Sequence, residues 1–194
     1  ILFLLACTGI STVREISVLL GKALGMNPTS GTIKRAFASL CASKLIIAQS
    51  LPLTGPAHIA AVRLSDAGAM YCAQIGLPDI QSEWDYLIAN HRGMDWEQHT
   101  ANILYFTYQA RMRGYSATLL PLVTSSNIQP DLEIFSLSGD QRWFVEVELR
   151  ARAKYEKWRN SYRKFGYVAL CTPTPAQRHA IIREFRQASV RRWY

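Results

Sequence analysis

The chain has 194 residues, of which 49% are hydrophobic and 19% charged, with a formal net charge of +8. That is enough apolar material for one or two compact domains, and too even a composition for a low-complexity, fibrous or disordered chain. The charge is segmented: residues 1–65 hold six Lys/Arg and one Glu, residues 66–149 four Arg against eleven Asp/Glu, and residues 150–194 twelve Lys/Arg against two Glu. Two basic blocks flanking an acidic middle suit a polyanionic partner, because neutralising phosphates releases condensed counterions. A solvated basic face with no partner is the plainer alternative. The acidic middle repels phosphate unless a cation sits in it. Cys7, Cys41, Cys72 and Cys171 are widely separated, with no CxxC and no Cys/His cluster. This argues against a structural zinc site or a disulfide framework and fits thiols in a reducing cytoplasm.

The apolar run Ile1–Ala6 is too short to span a bilayer and has no basic segment before it, so it reads as part of a core helix, over residues 1–9, in a trimmed chain. Ser11 or Thr12 offers an N-cap for a helix over 13–21, with apolar positions 13, 16, 19 and 20 on one face and Gly21 placed to end it. Gly25–Pro28 is a turn. Thr29 or Ser30 caps a longer helix, Gly31–Leu45, with Ile33, Phe37, Leu40 and Leu45 at helical spacing. Short strands follow at 46–48 and 59–64, joined by a loop rich in Pro and Gly. Ser65-Asp66 caps a helix through Gln74, ended by Gly76 and Pro78. A short helix with Trp84 and Tyr86 fills 79–92, and a long one runs from about Met94 to Arg113, closed by Gly114.

From there the period changes. Residues 116–123 are β-rich; 130–135 form a strand opened by Pro130, where a missing N–H is tolerated; Ser138-Gly139-Asp140 is a turn; and 143–149 is a strand by its β-branched and aromatic content. Residues 151–165 read as a basic helix, 167–171 as a buried strand, and a last helix starts at Pro175. The expected fold class is α+β. The basic helix interleaves Arg159 and Arg163, candidate phosphate contacts, with Trp158, Tyr162 and Phe165, which more naturally form its core face.

Asp131 and Glu133 share one face of their strand, and Glu146 and Glu148 one face of the next. The intervening turn is short, so the strands should form a hairpin, and a suitable register would converge three or four carboxylates. Such a cluster is costly without a cation, and a hard divalent ion such as Mg²⁺ is the usual partner of oxygen-only ligands. A half-buried strand with its glutamates facing solvent would produce the same pattern. No Gly-rich phosphate loop or GxSxG motif is present, and no nucleotide or organic cofactor is expected. His58, His91 and His179 have no partners at ligand or triad spacing.

The order helix, helix, longer helix, hairpin, helix resembles a winged helix-turn-helix, and Val62-Arg63-Leu64-Ser65-Asp66-Ala67-Gly68 looks like the junction between wing and last helix in many such regulators. In that geometry the later helix enters the major groove, which makes Thr29, Ser30, Thr32, Lys34 and Arg35 the contact candidates. Compact three-helix units with hairpins also serve as protein-interaction modules. Pro130-Asp131, fourteen intervening residues and then Glu146-Val147-Glu148 is similar to the PD-(D/E)xK nuclease signature. That resemblance implies a restriction-endonuclease-like αβββαβ core, Asp131 and Glu146 as Mg²⁺ ligands, and Glu97 as an additional acidic ligand. Glu148 stands where the family usually has Lys; a minority of restriction enzymes use Glu there, and others draw the Lys from the next helix, where Lys154 and Lys157 lie.

The whole layout is similar to the replication-relaxation family, with its N-terminal winged helix and a segment of the form "PD … EVE … K … Y", here ending in Tyr162; His99 also fits that pattern. The expected organisation is a winged helix over 1–78, a connecting helix over 79–92 and a nuclease-like domain over 93–194. The resemblance implies a DNA-binding protein of a plasmid or other mobile element, acting in replication, mobilisation or transposition. Its partners would be double-stranded DNA and other proteins of such a complex, with no membrane. Two readings stand side by side: a metal-dependent endonuclease with Asp131, Glu146, Glu148 and Lys154 or Lys157 at its centre, and a non-catalytic DNA-binding or assembly protein on a degenerate nuclease fold. A scaffold that binds no DNA is the third.

Overall fold

Single residues set the ends of the first three helices. The computed structural model describes residues 1–90, 96–122, 129–150, 160 and 168–191. α1 (Leu2–Thr8) stops at Gly9, which adopts a left-handed conformation (φ 68°) and donates its N–H to Leu5 O. α2 (Val13–Leu24) starts at Thr12, whose hydroxyl accepts the Glu15 N–H at 3.3 Å. It does not end at Gly21 as expected, but at Gly25, which has φ 64°. Gly21 is a packing glycine: a Cβ there would meet Met26 O at 2.7 Å. α3 (Gly31–Ala42) is capped by Ser30, whose Oγ accepts the Ile33 N–H at 3.3 Å. Thr29 instead donates its hydroxyl to Asn27 Oδ1 at 2.7 Å. α3 is shorter than the expected helix to Leu45, because Lys44 turns to φ 57° and carries the chain into β1.

β1 (Ile46–Pro52) and β2 (His58–Leu64) form an antiparallel ladder from Ile46↔Leu64 to Pro52↔His58. The strands are longer and the loop shorter than expected, since Pro52 sits at the last pair, where its missing N–H matters least. α4 (Asp66–Gln74) is capped by Ser65, and α5 (Glu83–Asn90) and α6 (Trp96–Met112) follow. The core of this part joins α1, α2, α3 and the hairpin through Leu5, Ile10, Ile16, Ile33, Phe37, Ile46 and Val62. One buried serine ties it together. Ser11 Oγ donates to Gly9 O at 3.1 Å and accepts the Trp84 N–H at 3.0 Å, while Ser11 O accepts the Val62 N–H at 2.8 Å.

The chain divides into two compact units, Ile1–Tyr108 and Gln109–Tyr194, and the change of unit falls inside α6. The second unit contains β3 (Tyr115–Leu119), β4 (Leu132–Ser136), β5 (Arg142–Val147), β6 (Val168–Cys171) and α7 (Pro175–Arg191). Its sheet has the order β3-β4-β5-β6. The first two pairings are antiparallel and the β5–β6 pairing is parallel, so a crossover must join β5 to β6. Leu119, Leu120, Leu132, Val145, Val147 and Ile181 are buried in this unit.

Among the described residues the protein is a mixed α+β chain with seven helices and two small sheets. No described helix is long and apolar enough to cross a membrane. The expected basic helix over 151–165, with Lys154, Lys157, Arg159, Tyr162 and Arg163, lies outside the described residues except for Asn160.

Candidate functional site

In the first unit, α3 presents two different faces. Ile33 and Phe37, four residues apart, are 4% and 8% exposed and fix the inner face against the core. Thr32, Lys34 and Arg35 are exposed, and so are Ala36, Ala38, Ser39 and Ser43. Apart from Lys34 and Arg35, the outward side chains are therefore short, which leaves the helix free to approach a partner surface closely. The Arg35 guanidinium reaches Thr32 Oγ1 at 3.4 Å. Thr29 is exposed, whereas Ser30 is half-buried with its hydroxyl engaged as the helix cap.

The hairpin beside α3 carries no Lys or Arg between Lys44 and Arg63. It offers Gln49, Ser50 and His58 as exposed polar groups. Its tip is held from within the unit by Gln98 of α6, whose amide Nε2 donates to Leu53 O at 3.2 Å and Thr54 Oγ1 at 3.4 Å. Sequence reasoning missed this clasp, because residues 44 and 45 positions apart leave no local signal.

In the second unit, the β4–β5 turn sets the register on which the carboxylates depend. Gly139, at φ 76°, donates its N–H to Ser136 O, and Ser136 donates to Gln141 O, both at 2.9 Å. The hydroxyls of Ser136 and Ser138 bond Asp140 and hold its carboxyl below the usual range. The resulting pairs are Leu132↔Val145, Glu133↔Phe144, Ile134↔Trp143 and Phe135↔Arg142. Continued by one residue, this register sets Asp131 opposite Glu146. Glu148 follows on the same side of its strand as Glu146.

Asp131, Glu146 and Glu148 are 2%, 0% and 1% exposed. The glutamates therefore do not line a solvent face, and the plain amphipathic-strand alternative does not hold for them. Asp131 Oδ2 accepts the Val147 N–H at 2.7 Å, which fixes its carboxylate beside β5. Glu148 is held by its own N–H, which donates to Cys171 O at 2.8 Å and extends the β5–β6 pairing. Beside them, burial pushes the Cys171 thiol up to about 11, with the negative charge of Asp131 adding to the effect. Glu133 is drawn away from the group: its carboxylate pairs with Arg142, whose guanidinium also lies 5.2 Å from the Phe144 ring centre. Three of the four carboxylates expected to converge are thus buried around β5, and the fourth is committed to a surface arginine.

Burying ionised carboxylates costs several kcal/mol each unless a positive partner compensates. The donor chemistry fits a hard divalent cation: the donors are carboxyl oxygens only. Among the described residues, no group of three or more His, Cys, Asp and Glu side chains stands close enough to hold a metal ion. The protein's own share would then be the Asp131–Glu146 pair, with water and phosphate oxygens supplying the remainder, as Mg²⁺ sites commonly do. Glu97 and His99 lie half-buried in the first turn of α6, in the first unit.

Against known protein families, curated proteins and solved structures, the chain shows no match.

Proposed function

We propose that the chain is a DNA-binding protein of the kind that serves replication, mobilisation or transposition of a mobile element. In this reading the first unit acts as a winged helix that engages duplex DNA, and the second is a PD-(D/E)xK-like unit with a metal-dependent phosphodiester site. The observation that carries it is the outward face of α3. That face pairs short side chains with Lys34 and Arg35, is anchored by Ile33 and Phe37, and is followed at once by the hairpin. A major groove about 12 Å wide admits such a helix, and Lys and Arg at its surface meet phosphates or guanine edges. The hairpin outside Arg63, which pairs with Asp85, would add neutral hydrogen-bonding groups rather than phosphate grips.

The strand order of the second unit and the opposition of Asp131 and Glu146 support the chemical half of the reading. Asp131 and Glu146 would hold a Mg²⁺ ion, and when bound it would polarise a phosphoryl oxygen and acidify a water. Glu148, buried beside them, would accept a hydrogen bond or a proton from that water. The Val147 N–H bonds one Asp131 oxygen and so sets the orientation of its carboxylate.

A second reading is favoured by two specific observations: Glu in place of Lys at 148, and no three-donor cluster among the described residues. It keeps the DNA binding and drops the chemistry, leaving an assembly protein on a retired nuclease fold. Supercoiled plasmid with Mg²⁺ or Mn²⁺ separates the two. The leading reading expects the wild type to retard and nick the plasmid, and Asp131→Ala and Glu146→Ala to retard it without nicking. Retardation without nicking by the wild type selects the second reading. A wild type that does not retard plasmid at low salt sinks both.

A further inference from the structure

α7 carries a second charged surface. It spans 17 residues, Pro175–Arg191. Its inner side is marked by Ile181, 3% exposed, with Gln177, Ala180 and Glu184 half-buried around it. Gln177 fastens the start of the helix. Its Nε2 donates to Leu149 O at 2.7 Å, its backbone N–H bonds the Thr174 hydroxyl at 3.2 Å, and its Oε1 accepts from that hydroxyl at 3.0 Å. The helix is thus anchored at its N-terminal end and along one side.

The opposite side is basic. Arg178, His179, Arg183 and Arg186 are exposed, and at about 100° per residue they fall within one sector of roughly 140°. From Arg178 to Arg186 the axial distance is about 12 Å at 1.5 Å per residue. No Asp or Glu lies in that sector, since Glu184, the one acidic residue of the helix, is on the half-buried side. Three guanidiniums on a rigid helix, without acidic partners in the same sector, form a face of one sign. Such a face is a footprint for a polyanion.

We infer that this face of α7 is a second nucleic-acid contact, gripping the sugar-phosphate backbone through Arg178, Arg183 and Arg186. The proposal rests on the DNA-binding reading above and extends it to a surface separate from α3. Guanidiniums pair with phosphate oxygens in a fixed bidentate fork, and backbone contact, unlike base reading, affects unrelated sequences alike. Among the side chains of described exposure, Ile182, 41% exposed, is the one large apolar group in this sector. An interfacial membrane helix needs a broad apolar face, so a lipid surface is the disfavoured polyanion.

The test compares full-length wild type, the triple variant Arg178→Gln/Arg183→Gln/Arg186→Gln and the charge-keeping Arg178→Lys/Arg183→Lys/Arg186→Lys. Each is titrated with a fluorescent duplex over a range of salt, and helical content is checked by circular dichroism. Each phosphate contact contributes about 0.9 to the slope of log K against log salt, so losing three should flatten it by about 2.7. The glutamine variant should show that loss and weaker binding to unrelated sequences alike, and the lysine variant should keep most of the slope. A folded glutamine variant with the wild-type slope overturns the proposal alone. A wild type without salt-dependent binding fails the underlying reading as well. Binding of wild type to anionic vesicles but not to duplex, lost in the glutamine variant, would assign the face to a lipid surface and likewise overturn the proposal.

Discussion

Gly68→Ala tests how the α3-to-hairpin junction is built. Gly68 is the third residue of α4, and a Cβ placed there would lie 1.9 Å from Leu45 O and 2.9 Å from Leu45 C. Both are backbone atoms, and ordinary contact for a Cβ begins near 3.4 Å, so α4 and the Lys44-Leu45 turn must separate by more than an ångström. That separation strains the Ser65 N–H bond to Leu45 O at 3.1 Å and the Ser65 hydroxyl bond to Lys44 O. Each such bond contributes about 1 kcal/mol, and the forced overlap itself costs about 1–3 kcal/mol. Alanine gains about 1 kcal/mol as a helix former. The net destabilisation is about 2–4 kcal/mol, or a fall of about 10–20 °C in Tm for a unit near 100 residues. Calorimetry on the purified variant measures it. A variant as stable as wild type, or more stable, would mean that helix propensity outweighs the close approach and that α4 does not lean on this turn as described. Because Lys44 and Leu45 join α3 to β1, duplex affinity should fall along with stability.

Ser11→Ala removes a buried hydroxyl that accepts the Trp84 N–H; leaving that donor unsatisfied should cost about 1–3 kcal/mol in a urea titration, and Ser11→Thr should not be a simple rescue in so tight a site. Ser30→Ala should cost about 1 kcal/mol through loss of the α3 cap, and Ser30→Asp should restore it. The Cys171 thiol is raised from an ordinary value of 9.0 to about 11. The reactive thiolate should therefore appear only as the pH climbs toward 11, and alkylation of the native protein at pH 8–9 should be far slower than that of the unfolded chain. Since the unfolded thiol ionises first, stability held below pH 9 should decline between pH 9 and 11; alkylation at equal rates in the folded and unfolded states would contradict the burial described for this residue.

Local rules were legible where one residue decides an end. Thr12, Ser65 and Gly114 mark helix boundaries through cap chemistry and left-handed turns that sequence alone exposes. Gly21 misled because a glycine can be required by a neighbour instead of a turn: it is kept small by the Met26 carbonyl five residues on. The hairpin β1–β2 was underestimated because cross-strand pairing carried Pro52 into the ladder, where propensity argued for a loop. The grouping of Asp131 with Glu146 was readable, since a period of two and a short turn leave few registers. The fate of Glu133 was not, because its pairing with Arg142 depends on three-dimensional reach. Nor was the burial of Glu146 and Glu148 readable, since alternation alone is the same for a solvent face and an enclosed one. The basic face of α7 was not legible either, because which side of a helix is exposed depends on what packs against it, here around Ile181.

Fluorescence anisotropy of a labelled duplex between about 50 and 200 mM salt is the decisive measurement for the proposed binding of duplex DNA through α3. Wild type should bind with a steep negative slope of log K against log salt, and Lys34→Ala/Arg35→Ala should bind more weakly, with the slope reduced by up to about 2 if both residues meet phosphates. Binding that is absent at low salt, or a folded double variant indistinguishable from wild type, would contradict the claim.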